Sequence, residues 1–149
     1  MCKVHTTKKV YLTNRHIELL NITNDVKNFV KESGINNGQC TVFSMHTTTA
    51  LLINENEPGL EEDIPSFLKK IVPYDDNYHH HHYYSKDGRM AVNAWAHLRS
   101  ILLGLSVTIP VINGELALGG RENIYLVELD GPQKRTVIIQ VIGAGESKG

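Results

Sequence analysis

The chain has 149 residues, 41% hydrophobic and 21% charged, which favours one folded domain with a single sizeable core over a disordered chain. Its formal net charge of -1 gives no electrostatic argument for nucleic acid or a membrane surface. No apolar run approaches the roughly 18 residues a membrane span needs.

Residues 4–12, rich in Val, Thr and Tyr, predict a strand. Residues 15–21 alternate polar and apolar and predict a second strand, pairing with the first across a turn at Asn14. Thr23 is the predicted N-cap of a helix carrying Val26, Phe29 and Val30, and Gly34 is its stop. Residues 38–45 predict a strand entering the His46 region, and the β-branched run from Thr47 to Ile53 predicts another. Pro58 begins a second helical pattern with Leu60, Ile64, Phe67, Leu68 and Ile71 on one face, interrupted by Pro65 and ended by Pro73.

Next comes Tyr78-His79-His80-His81-His82-Tyr83-Tyr84, four consecutive histidines between tyrosines. Its alternation predicts a strand, with Tyr78, His80, His82 and Tyr84 on one face. A turn at residues 86–89 leads to a third helix over 93–103, where Ala94, His97, Leu98, Ile101 and Leu102 repeat at three and four before Gly104. The remainder predicts strands at 107–112, 115–118, 124–129 and 136–142, with Asn113-Gly114 as a hairpin turn and Asp130-Gly131-Pro132 as a break. Strands and helices come in groups rather than in strict alternation, which argues for an α+β fold.

Several patterns point to chemistry. Two imidazoles two residues apart on one strand face could converge on an ion, so a same-face pair from His79 to His82 is a candidate metal pair, with His97 as third ligand. His46-Thr47-Thr48-Thr49 offers an imidazole and hydroxyls at a strand junction, suited to an anion or a metal-bound water. Glu55, beside Asn54, is a candidate ligand, base or imidazole partner. Arg99 lies close to His97 on the third helix, and Gly119-Gly120-Arg121 is a glycine turn with an arginine that could cradle phosphate. Cys2 and Cys40 are too few for a disulfide framework, and residues 1–5 lack the apolar core of a secretory signal, so a cytoplasmic protein is expected.

Taken together, these segments resemble the YjbQ family, also called the secondary thiamine-phosphate synthase family, over about residues 5–143. The markers are His46-Thr47-Thr48-Thr49-Ala50-Leu51 with Asn54-Glu55, then Asn93-Ala94-Trp95-Ala96-His97-Leu98. Gly104, Pro110, Gly114, Leu118-Gly119, Glu128-Leu129-Asp130-Gly131-Pro132 and Arg135 follow in order. The resemblance implies two packed sheets with helices at the side, in β2-α-β2-α-β3-like order. It also implies a homotrimer with sites near subunit boundaries.

The family's histidine cluster maps onto His46, His97 and His80, with His82 as an alternative, and implies a bound divalent metal, zinc foremost. Asn54, Glu55 and Asn93 match polar positions beside it, giving His97, Glu55, Asn54, Asn93 and Arg99 as expected catalytic residues. Thr47, Thr48 and Arg121 are the expected contacts to a small phosphorylated metabolite. The implied reaction joins a pyrimidine pyrophosphate to a thiazole phosphate. Metal-assisted hydrolysis of a phosphate ester and a non-catalytic trimeric metal or anion binder are the alternatives. One departure stands out: Leu118-Gly119-Gly120-Arg121-Glu122 replaces the family's usual Leu-Gly-Thr-Trp-Gln.

Overall fold

The computed structural model describes residues 1–82 and 92–145. In chain order these form β1 (Cys2–Leu12), β2 (Glu18–Asn21), α1 (Thr23–Ser33), β3 (Ile35–Ser44), β4 (Thr49–Glu55) and α2 (Pro58–Ile71). A 3-10 turn (His79–His82), α3 (Ala94–Leu103), β5 (Ser106–Ile112), β6 (Glu115–Leu116), β7 (Glu122–Glu128) and β8 (Lys134–Gly145) follow. The α+β class and the two sheets are as expected. A third helix and a four-strand C-terminal group extend the implied order.

The larger sheet runs β1-β8-β3-β5-β6 and the smaller runs β2-β7-β4, with every pairing antiparallel. One core, with Val42, Ile109, Val137, Ile139 and Val141 on one side and Leu51, Ile124 and Leu126 on the other, fills the space between the sheets and takes Val26 and Val30 of α1. A second core lies on the far face of the smaller sheet, where Ala50, Val127 and Leu129 meet Leu68 of α2 and Trp95 and Ala96 of α3. The order of layers is therefore large sheet, small sheet, then α2 and α3, with α1 packed against the core between the sheets. Covered on both faces, β7 is buried at every residue from Ile124 to Glu128, whereas β8 alternates buried and partly exposed residues along most of its length.

Local chemistry accounts for most boundaries. Glu57 caps α2 by accepting from the Gly59 and Leu60 N–H groups, and Pro58 follows at the first helical position, where its missing N–H is no loss. Asn113 and Gly114 both take positive φ, 52° and 79°, as the tight hairpin between β5 and β6 requires.

Three expectations are corrected. Residues 18–21 do not pair with β1. They join the smaller sheet against β7, because Leu19 and Leu20 find apolar cover there. Thr23 is not the cap of α1 but its first residue, and its hydroxyl instead receives the Ile124 N–H. The histidine run is a 3-10 turn, not a strand, and pairs with no strand among the described residues. The side chains of His81 and His82, and the whole of Tyr83, Tyr84 and the 86–89 turn, lie outside the described structure.

Candidate functional site

The register of the smaller sheet sets the location. Glu18 of β2 and Thr49 of β4 both pair with Glu128 of β7. The segments just before β2 and β4 and just after β7 therefore emerge at one end of the sheet. They carry His16, Thr47 and Asp130. The start of α3 and the 3-10 turn bring Asn93, His97 and His80 to the same end.

There the side chains form a connected set. His80 and His97 meet edge to face with ring centroids 4.9 Å apart. His80 Nε2 lies 2.8 Å from Asn93 Oδ1, and Asn93 Nδ2 donates to Asp130 Oδ2 at 2.9 Å. The other Asp130 oxygen is 3.4 Å from His16 Nε2, and the His16 ring packs against Trp95 at 4.9 Å. His80, His97, Tyr78, Ala94 and Leu98 line an open cleft of about 530 Å³ whose wall is largely apolar.

Beneath it lies a buried polar network. Arg135 pairs with Glu128 and donates to the Thr48 carbonyl and hydroxyl. Glu128 also accepts from Thr13 Oγ1 and from the Asp130 N–H. Burial alone would raise the Glu128 carboxyl. The hydrogen bonds from Arg135, Asp130 and Thr13 outweigh it and hold the group below the usual carboxylate range. Gly131 makes the loop fit: a Cβ there would sit 2.3 Å from the Arg15 carbonyl oxygen and 2.7 Å from Glu128 Cγ.

The threonine run serves this framework. Thr48 binds Arg135, Thr49 Oγ1 donates to the His46 carbonyl and contacts Ser44, and the Thr47 backbone bonds to the His97 ring. That last bond raises the basicity of His97, so the ring is the donor. Burial and the neighbouring His80 outweigh it, and His97 is held below its ordinary pKa of 6.5. His46 is also lowered, by burial and by Arg135. Its Nε2 accepts the Thr136 N–H at 2.9 Å, so the lone pair a metal would need is engaged within the fold.

Among the described residues no three His, Cys, Asp or Glu side chains gather to hold a metal ion. His80 and His97 are together, His46 is turned to β8, and the His82 side chain is outside the description. The expected three-histidine zinc set is thus not assembled by these residues.

The chain matches the family described as UPF0047 protein YjbQ-like over residues 8–144. The chain belongs to the YjbQ-like UPF0047 family. A UPF0047 protein of Methanothermobacter thermautotrophicus is 43% identical over 95% of this chain and 94% of its own. The UPF0047 protein YugU of Bacillus subtilis is 33% identical over 88% and 94% respectively. The crystal structure of a YbjQ-like protein of unknown function from Sulfolobus solfataricus superposes with a TM-score of 0.90 at 37% identity, over 96% of this chain and 99% of that one.

The family markers divide between two ends of the smaller sheet. His80, Asn93, His97, Thr47, Thr48, Glu128 and Asp130 are at the end just described. Asn54 and Glu55 pair with Asn123 and Glu122 at the other, six residues or about 20 Å along β4. Arg121 is there too, 85% exposed and 3.9 Å from Glu55. The loop that departs from the family pattern lines a separate polar cleft of about 690 Å³ with Lys27 and Lys31 of α1. Asn54 and Glu55, expected beside the histidines, and Arg121, expected to hold the phosphorylated ligand, are therefore separated from the histidines within one chain.

Arg99 is also redirected. It is 1% exposed, donates twice to the Val72 carbonyl, and stacks on Tyr74 and Trp95 at 4.3 and 5.0 Å. It is not a wall of the histidine cleft. The sequence reading missed His16, assigned to no site, and treated Asp130 as a turn residue. Their only local signal was the Asp130-Gly131-Pro132 marker itself.

Proposed function

We propose that the family member described here is a small-molecule enzyme whose reactive site is the His80–His97 cleft, with His97 as proton acceptor. The observation that carries this is the imidazole pair at 4.9 Å on an open cleft, with His97 held below its ordinary pKa. A lowered imidazole is neutral near pH 7 and suits a base rather than an acid. The Thr47 carbonyl holds one ring nitrogen and leaves the other basic.

The substrate class proposed is a small phosphorylated metabolite. Thiamine phosphate formation is the first reaction to assay, because the family resemblance names it. In that reaction the C–O bond to pyrophosphate breaks, a C–N bond to the thiazole forms, and pyrophosphate leaves with its electron pair. Joining the thiazole nitrogen releases no proton, so the base role of His97 belongs to the other reaction, hydrolysis of a phosphate ester, in which His97 draws a proton from the attacking water. No Lys or Arg lines the described cleft, so the apolar wall fits a ring better than a bare phosphate.

A second reading, a non-catalytic homotrimeric binder, draws on a different observation. Apolar side chains stand uncovered on α3, with Leu98 at 41%, Ile101 at 77% and Leu102 at 54% exposure. Homotrimer formation is proposed under either reading.

The test is turnover of pyrimidine pyrophosphate with thiazole phosphate, and of aryl phosphate esters, by wild type and His97→Ala, alongside elemental analysis. Loss of about 10²-fold or more in the variant is the expected size for a general base. Equal turnover by both proteins would end the enzymatic assignment of His97. One metal ion per chain, lost in His97→Ala, would mean that ligands from outside the described residues complete a metal site.

A further inference from the structure

We infer that Asp130 is a positioning residue which, through the Asn93 amide, dictates the nitrogen of His80 that carries the proton. The inference rests on the His80–His97 cleft being the reactive site. It follows from the direction of hydrogen bonds and from nothing about titration.

The ionised Asp130 carboxylate only accepts hydrogen bonds. The Asn93 group facing Asp130 Oδ2, 2.9 Å away, must therefore be the NH2. The same amide then has only its carbonyl oxygen to offer His80, whose Nε2 is 2.8 Å distant. A carbonyl oxygen brings no hydrogen, so Nε2 must carry it. The neutral His80 ring is therefore the Nε2–H tautomer, with its lone pair on Nδ1. The amide orientation follows from the network rather than from seeing hydrogens.

Asp130 is itself held at three points. Its N–H donates to buried Glu128, its carbonyl accepts from Gln133 Nε2, and its second carboxylate oxygen faces His16. The pinned Asp130 thus orients a neutral amide, and the amide orients an imidazole. An amide neither gains nor loses protons readily, so the line from His16 to His80 sets orientation and carries no proton. Asn93 stands at the N-cap position of α3 but makes no side-chain cap bond, which leaves its amide for this link.

Imidazole nitrogen shifts, read by long-range proton–nitrogen correlation at about pH 8, above the usual histidine pKa, test this directly. In the wild type His80 is expected to show a protonated-type Nε2 and an unprotonated-type Nδ1. In Asp130→Ala the amide loses its orienting acceptor, and the two His80 shifts are expected to move toward each other. Asp130→Asn retains an acceptor oxygen and is expected to restore the wild-type pattern. A wild-type Nδ1–H tautomer, or His80 shifts unmoved in folded Asp130→Ala, would overturn the proposal. If that variant does not fold, the wild-type measurement decides alone. Titrating the wild type with phenyl phosphate while watching the His80 and His97 signals tests the cleft separately. Unmoved signals there would sink the site reading and leave the tautomer result standing.

Discussion

Glu128 and Arg135 are 0% and 2% exposed at their side chains, and each is the other's only charge partner among the described residues. Glu128→Gln leaves the guanidinium buried without a counter-charge, so a loss of about 3–5 kcal/mol is expected from denaturant midpoints. Adding Arg135→Met removes the stranded charge, and the double variant is expected to be more stable than the single one. A second prediction concerns pH. His46, His97 and Glu128 all have folded pKa values below their ordinary ones. Below 6.5 the unfolded chain takes up protons that the folded histidines refuse, so stability falls as the solution is acidified. Glu128 adds a second loss as pH drops past the ordinary carboxylate value of 4.5 and through its lowered folded one. Urea midpoints should therefore decline in two stages, and a midpoint that stays level between neutrality and the carboxylate range would contradict this. Motifs brought His80, Asn93, His97 and Asp130 into view one by one, but not the hydrogen bonds that join them. Asn93 joins His80 and Asp130, 13 and 37 residues away, and no local pattern encodes such contacts.

Helix α3 shows how a correct element can carry a misleading face. Its limits and its Gly104 end agree with the sequence pattern. The three-and-four repeat singled out Leu98, Ile101 and Leu102, yet these face outward, while Trp95, Ala96, Arg99 and Ser100 are buried. Arg99 is tolerated inside because the Val72 carbonyl and two aromatic faces receive its guanidinium. The histidine run failed for a different reason. A period of two over seven residues is cheap to satisfy, and a strand needs a ladder partner, which the run does not find among the described residues. By contrast the β5–β6 hairpin was legible, because Asn-Gly encodes its turn chemistry locally.

At the scale of the molecule, the small sheet is covered on both faces and the large sheet on one. The open face of the large sheet presents Val4, Val10 and Leu12 of β1, Phe43 of β3, Ile112 of β5 and Ile142 of β8, all exposed. The outward α3 ridge of Leu98, Ile101 and Leu102 adds further exposed apolar side chains. If α3 is part of the proposed trimer contact, Ile101→Asp will sediment as a smaller species than wild type while keeping the same circular dichroism. A wild-type protein that sediments as a monomer would remove the homotrimer proposal altogether. The α+β class was readable from the grouping of strands and helices, and the two sheets from the resemblance. The layering was not, because which sheet receives β2 depends on distant cover rather than on its own four residues.

The cleft also has a history within each molecule. His16, Thr47, His80, His97 and Asp130 come from separate stretches of chain, and His16 reaches Asp130 only when β2 has docked on β7. Helix α3 supplies Ala94, His97 and Leu98, and the remaining groups must be brought to it by the fold. Such long-range closures come late on the route to the native state. The candidate site is therefore complete only where β2 and β7 have met, and a fragment keeping α3 and the 3-10 turn alone would hold the imidazole pair without its partners Asp130 and His16.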